Sequence, residues 1–190
     1  MIINKKKIWS LSWPLIIANF TIPLVGLTDT VIMGHMPDSL YLAAIAIGGI
    51  VFNFMYAGLN FLRMGTTGIV AQKLGENNIE EVFFSLIRPL LMAFLIGVSL
   101  FLSTSYLYDL SVYFLTPNEE IKEFYKEYLF IRMVGLPVGL LNIVFLGWFF
   151  GMQKTKSVML QLIIINLVNI FSSLFFVVYL DYGIYGVALG

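Results

Sequence analysis

Hydrophobic residues run along this chain in five long blocks, at roughly 8–34, 41–70, 82–106, 128–151 and 158–180, and a sixth opens at 184. Each of the five exceeds the roughly 20 residues that a helix needs to cross the hydrocarbon layer of a bilayer. Alternation with a period of two is weak, and the blocks are far longer than the roughly 9–11 residues of a membrane-barrel strand. Backbone groups in lipid must be satisfied within their own segment, which favours helices. The pattern predicts an all-α polytopic membrane protein with five complete transmembrane helices plus the start of a sixth.

The polar stretches between the blocks refine this. "NEEIKEFYKEYLFI" has a helical pattern and predicts an amphipathic lead into the fourth span; Thr116-Pro117-Asn118 stops the preceding segment and starts this one. "YGIYGVALG" reads as the first turns of another span, so a fragment of a larger transporter is expected. No internal repeat is visible in the 190 residues.

Composition agrees. Hydrophobic residues make up 59% of the chain, against about 45–50% for a soluble domain even with glycine counted. Formal net charge is zero, so no basic field exists to attract nucleic acid. With no cysteine and one histidine, disulfides, thiolate metal sites and histidine clusters are excluded. The start resembles a signal peptide, but its apolar stretch is too long and no small-x-small site closes it, so an uncleaved first span is expected.

Basic residues set an expected orientation. Lys5, Lys6, Lys7, Lys73, Arg88, Lys154 and Lys156 fall on one side, and only Lys122 and Lys126 on the other. The positive-inside tendency then puts the N-terminus in the cytoplasm, with the protein multi-pass in the inner (plasma) membrane.

Asp29 is the acid inside the first block. A charged aspartate near a helix centre costs roughly 2.5–3.5 kcal/mol on insertion scales, and such residues usually serve an ion or proton path. Simple hydration near the membrane surface is the rival reading, because five residues separate Asp29 from His35. A carboxyl removed from water favours its protonated form, and a bound cation favours the ionised one. One site can thus alternate between proton and metal ion. Pro23, six residues earlier, permits a kink and a hinge, although proline is common in membrane helices anyway.

Two polar stripes follow. Asn53, Tyr56, Asn60, Arg63 and Thr67 recur at spacings of three and four in the second block and share one helix face, expected to point inward. Interhelical hydrogen bonding explains some of them, and Arg63 suits snorkelling or the inner mouth of a cavity. Asn166, Asn169 and Ser173 form a stripe in the fifth block. Their oxygens are hard ligands suited to an alkali cation beside a carboxylate, or to packing. Asn142 and Asn19 are weaker candidates, and Arg132 reads as an interfacial anchor.

The runs "SWPLIIANFTIPLVGLTDTVIMGH", "LAAIAIGGIVFNFMYAGLNFLRMGTTGIVAQKLG", "YLFIRMVGLPVGLLNIVFLGWFFGMQ" and "NLVNIFSSLFFV" together resemble the DinF-like branch of the multidrug and toxic compound extrusion (MATE) transporters. "FLRMGTTG" followed by "AQ" is the most specific piece. The resemblance implies a twelve-helix protein in two six-helix lobes, with residues 1–190 as most of the N-terminal lobe and the C-terminal lobe missing. It implies export of small organic, often cationic substrates in exchange for sodium ions or protons, with membrane lipid as surroundings and no cofactor. It assigns ion or proton coupling to Asp29 and Asn169, with sodium as a possible ligand of these two, and to Asn142 with a less certain alignment. Many relatives with this pattern carry an aspartate where this chain has Ser173. That departure leaves one carboxylate, weakens the case for tight sodium binding and favours proton coupling.

Two other readings stand beside it: a lipid-linked precursor flippase of the same superfamily, which calls for more basic residues than Arg63 supplies, and a non-transporting membrane scaffold. An intramembrane enzyme is least favoured, because HExxH, GxSxG and paired carboxylates within one span are missing from the sequence.

Overall fold

The computed structural model describes residues 5–34 and 39–190; for Lys7, residues 21–26, Asp29, Thr30 and Met33 it describes the backbone only. The elements are α1 (Lys5–Gly34), α2 (Ser39–Leu59), α3 (Phe61–Gly75), α4 (Ile79–Leu102), α5 (Thr104–Leu115), α6 (Glu119–Gly151), α7 (Thr155–Leu174), a π-helical segment (Phe175–Tyr179) and α8 (Gly183–Leu189). The described residues contain helices and no strands. The connection 35–38, with His35 and Asp38, lies outside the described residues.

Four stretches are long and apolar enough to cross a membrane: Ser39–Gly75, Ile79–Leu102, Glu119–Gly151 and Thr155–Tyr179. A shorter apolar helix covers Ile8–Phe20 among the described residues. Large apolar side chains cover the outside of the bundle, among them Phe54, Leu95 and Phe171. Exposure on that scale belongs in lipid rather than water.

The block expected at 41–70 is built from two helices. Gly58 and Asn60 are weak helix formers in mid-span, and the Asn60 N–H turns to the Ala57 carbonyl at 3.4 Å, one residue short of the α pattern. The block expected at 82–106 divides at Ser103. There the Thr104 hydroxyl donates to the Phe101 carbonyl, a side-chain bond that competes with helix continuation. Elsewhere the turn chemistry is local. Asn78 caps α4 by accepting from the Glu81 N–H at 3.1 Å, and Glu80 and Glu81 suit the positive end of its dipole. Thr116, with φ of 42°, ends α5 just before Pro117.

Helix α6 is the axis of the bundle, packed against α2, α3, α4, α5, α7 and α8. Tyr125, Leu129, Met133, Leu136, Leu140 and Val144 are buried along it, at alternating spacings of three and four that keep them on one stripe. Its neighbours approach closely where one side lacks a Cβ. A Cβ at Gly97 of α4 would stand 2.5 Å from the Pro137 Cα, and one at Gly147 would stand 2.6 Å from the Arg63 carbonyl oxygen on α3. At that crossing the Thr67 hydroxyl lies 2.8 Å from the Arg63 oxygen and 3.0 Å from the Gly147 oxygen. Small residues that let backbones meet are the usual way helices associate where hydrophobic exclusion gives no drive. Helix α1 packs chiefly on α7.

Candidate functional site

The candidate site lies on α7, the helix that receives α1. Asn166, Asn169 and Ser173 occupy its stripe, the first two half-buried and Ser173 1% exposed. Helix α8 returns across this stripe. Gly186 lies against the Phe176 and Val177 backbone, and Gly190 lies so close to Ser173 that a Cβ there would overlap it. The Asn169 amide Nδ2 donates to the Gly190 carbonyl at 2.9 Å. Its other end differs: the Asn169 Oδ1 is buried and has no hydrogen-bond partner among the described residues. Such an acceptor calls for an explanation, since leaving it unpaired costs about 1–3 kcal/mol.

The π-helical segment begins two residues after Ser173, and its i→i+5 closure is seen in the Leu180 N–H to Phe175 carbonyl bond at 3.1 Å. Asp181 (φ 54°) and Gly183 (φ 51°) then reverse the chain in left-handed conformations, so that α8 returns along α7. Single π turns inside α-helices are frequently found at functional sites.

The backbone at Pro23 and Asp29 belongs to α1, but both side chains lie outside the described residues. Asn19 is exposed and its Nδ2 donates to the Leu15 carbonyl of its own helix at 2.9 Å. Asn142 stands apart from Asn169. Its carbonyl accepts from the Gln161 Nε2 at 3.2 Å, and Gln161 precedes Asn169 by eight residues, about 12 Å of helix rise. Asn142 and Gln161 line a second cavity of about 410 Å³ between α6 and α7.

The stripe of the second block is shared between α2 and α3. Asn53 is exposed, while Tyr56, Asn60, Arg63 and Thr67 are half-buried. The hydroxyl of Tyr56 rests against Gly139 of α6. Arg132 is more than a surface anchor: its guanidinium lies 5.2 Å from the Phe52 ring centroid and 5.8 Å from that of Tyr128.

Sequence periodicity passed over Gln161, which is off the α7 stripe, and over the contact of Asn169 with Gly190. The small-xxx-small spacing of Gly186 and Gly190 was the available signal for α8. Chemically, an amide oxygen, a hydroxyl and a backbone carbonyl form a neutral set of hard oxygen donors, suited to an alkali cation or to a protonated carboxyl when an acid joins them.

Comparison with known proteins places this arrangement. The sequence model of the MatE family matches residues 14–175. The DNA damage-inducible protein F of Escherichia coli (strain K12) is 35% identical over 186 residues, which is 98% of this chain and 40% of that protein. A probable multidrug resistance protein NorM of Bacillus licheniformis is 27% identical over 131 residues, covering 68% of this chain and 29% of that one. Among solved structures, a MATE protein in complex with MaD3S superposes with a TM-score of 0.87 at 24% identity, over 97% of this chain and 41% of that one. A transporter of the MOP superfamily from Pyrococcus furiosus superposes with a TM-score of 0.85, also at 24% identity, over 97% and 40%. The two structural likenesses establish the fold. The chain spans 40% of the length of the Escherichia coli relative.

Proposed function

This chain belongs to the MatE family, and from that premise we propose that it is part of a secondary active multidrug-type efflux antiporter, exchanging organic cations for protons or sodium ions. It works with a second lobe, in the inner (plasma) membrane, with its N-terminus in the cytoplasm. The observation that carries this reading is the buried, unpaired Oδ1 of Asn169, on the helix against which α1 packs.

Asp29, on α1, is the coupling acid. Protonated, its carboxyl is a hydrogen-bond donor that the Asn169 oxygen can accept; ionised, it presents only acceptors. A sodium ion would restore attraction by bridging the oxygens, but Ser173 adds a neutral ligand where a second carboxylate would add charge. The proton is therefore the preferred coupling ion. Occupancy changes how well α1 packs on α7, and Pro23 lets α1 bend as it does so. Substrate is favoured in the other packing, and alternating access follows from this difference in affinity.

The test is dye efflux from vesicles carrying the intact protein, driven separately by a pH gradient and by a sodium gradient. Asp29→Asn is expected to abolish efflux under the pH gradient. Equal efflux by wild type and variant under both gradients would falsify the coupling role.

A further inference from the structure

A cavity of about 860 Å³ opens where the N-terminal ends of α2, α6 and α8 meet, away from the Asn169 cluster. Its wall includes Tyr41, Glu123, Glu127, Asp181, Tyr182 and Tyr185, and no lysine, arginine or histidine lines it. The aromatic rings are held in place. Tyr41 meets Phe124 edge to face with centroids 4.8 Å apart, Tyr182 stacks on Phe176 at 6.3 Å, and the Tyr185 hydroxyl hydrogen-bonds the Glu127 carboxylate. The nearby cations are engaged elsewhere: Lys122 pairs with Glu119, and Lys126 lies over the Tyr108 ring at 5.8 Å. The cavity therefore carries uncompensated negative charge in front of aromatic faces.

We propose that this cavity binds organic cations of the quaternary ammonium type. Aromatic faces attract a large, weakly hydrated cation, the volume falls in the roughly 300–1,000 Å³ range of small-molecule sites, and carboxylates around the mouth raise the local concentration of cations. A small metal ion is a poorer match. The carboxylates line different sides of the space, and no group of three acidic or histidine side chains among the described residues is gathered closely enough to hold a metal. The ligand class follows from the cavity; that such a cation is also transported cargo rests on the function proposed above.

The experiment is calorimetric titration of benzyltrimethylammonium into the intact protein in nanodiscs of zwitterionic lipid, with benzenesulfonate as the anionic counterpart. The cation is expected to bind and the anion not to. Tyr182→Leu and the double variant Glu123→Gln/Asp181→Asn are each expected to weaken binding by about tenfold. Asp29→Asn is expected to leave it unchanged, which separates this site from the coupling site whatever the transport assay shows. Equal binding of cation and anion, unchanged affinity in the cavity variants, or loss of binding in Asp29→Asn overturns the proposal. Should the double variant fail to fold, the exposed Glu123→Gln alone decides, by the same loss or retention of affinity.

Discussion

Gly97 and Pro137 meet backbone to backbone: a methyl group on Gly97 would lie 2.5 Å from the Pro137 Cα. The contact is the closest approach of α4 to α6 that a side chain would block. Gly97→Ala is expected to lower unfolding free energy by about 1–3 kcal/mol through overpacking. Gly135→Ala, on an open face of α6 with nothing within 4 Å, is expected to be neutral or stabilising by up to about 1 kcal/mol, as helix propensity dictates. Unfolding by denaturant in bicelles measures both, and equal costs at the two positions would refute the packing account.

Thr67 bonds across the α3–α6 crossing to the Gly147 carbonyl at 3.0 Å. Interhelical hydrogen bonds of this kind average about 0.6 kcal/mol in membranes. Thr67→Val should therefore cost about that much in the same unfolding measurement and leave transport intact. A loss of transport without loss of stability would instead give Thr67 a direct role.

Ser173 is buried beneath Gly190, so Ser173→Asp has two expected effects. The larger side chain forces the end of α8 outward at a cost of about 1–3 kcal/mol. The added carboxylate supplies the charge that the neutral oxygen set lacks, so sodium should raise the melting temperature of the variant well beyond its effect on wild type. Thermal melts in sodium and in choline check this; identical shifts for both proteins would count against Ser173 as a ligand position.

Arg132 reaches the rings of both Phe52 and Tyr128. Each desolvated contact of this type is worth about 0.5–2 kcal/mol. Arg132→Gln is expected to destabilise by an amount in that range and Arg132→Lys by less. If Arg63→Gln proves equally costly, the aromatic contacts are not the cause.

Tyr108 stacks on Tyr125 with centroids 5.6 Å apart, on α5 outside the membrane-spanning stretches. Burial raises its hydroxyl pKa above the ordinary 10.0, with Lys122 opposing. The unfolded chain therefore releases this proton first as pH rises. The stabilising contribution is complete below about pH 10 and lost as pH climbs through the raised folded value. Alkaline titration of tyrosine absorbance should show one late-titrating group that disappears in Tyr108→Phe.

The sequence made the spans legible because membrane length and backbone satisfaction leave so few options. It did not reveal the breaks at Asn60 and Ser103. There a local choice between one carbonyl and another divides a block that hydropathy averages into one. The α7 stripe was legible from spacing, since Asn166, Asn169 and Ser173 must share a face. The partner of Asn169 was not, because Gly190 arrives from a separate helix. Arg132 was misjudged for the same reason: its rings come from both α2 and α6, and only the packed bundle brings them under one guanidinium.

The π-helical segment carries one residue more per turn than its neighbours, and that surplus sets the angular phase between α7 and α8. Removing a single residue from Phe175–Tyr179 would rotate everything after it by about 100°. Gly190 would swing off Asn169, and Tyr185 would swing off Glu127. One short turn thus keeps two distant polar contacts in step, like a spacer between gears, and altering its length by one should uncouple both at once.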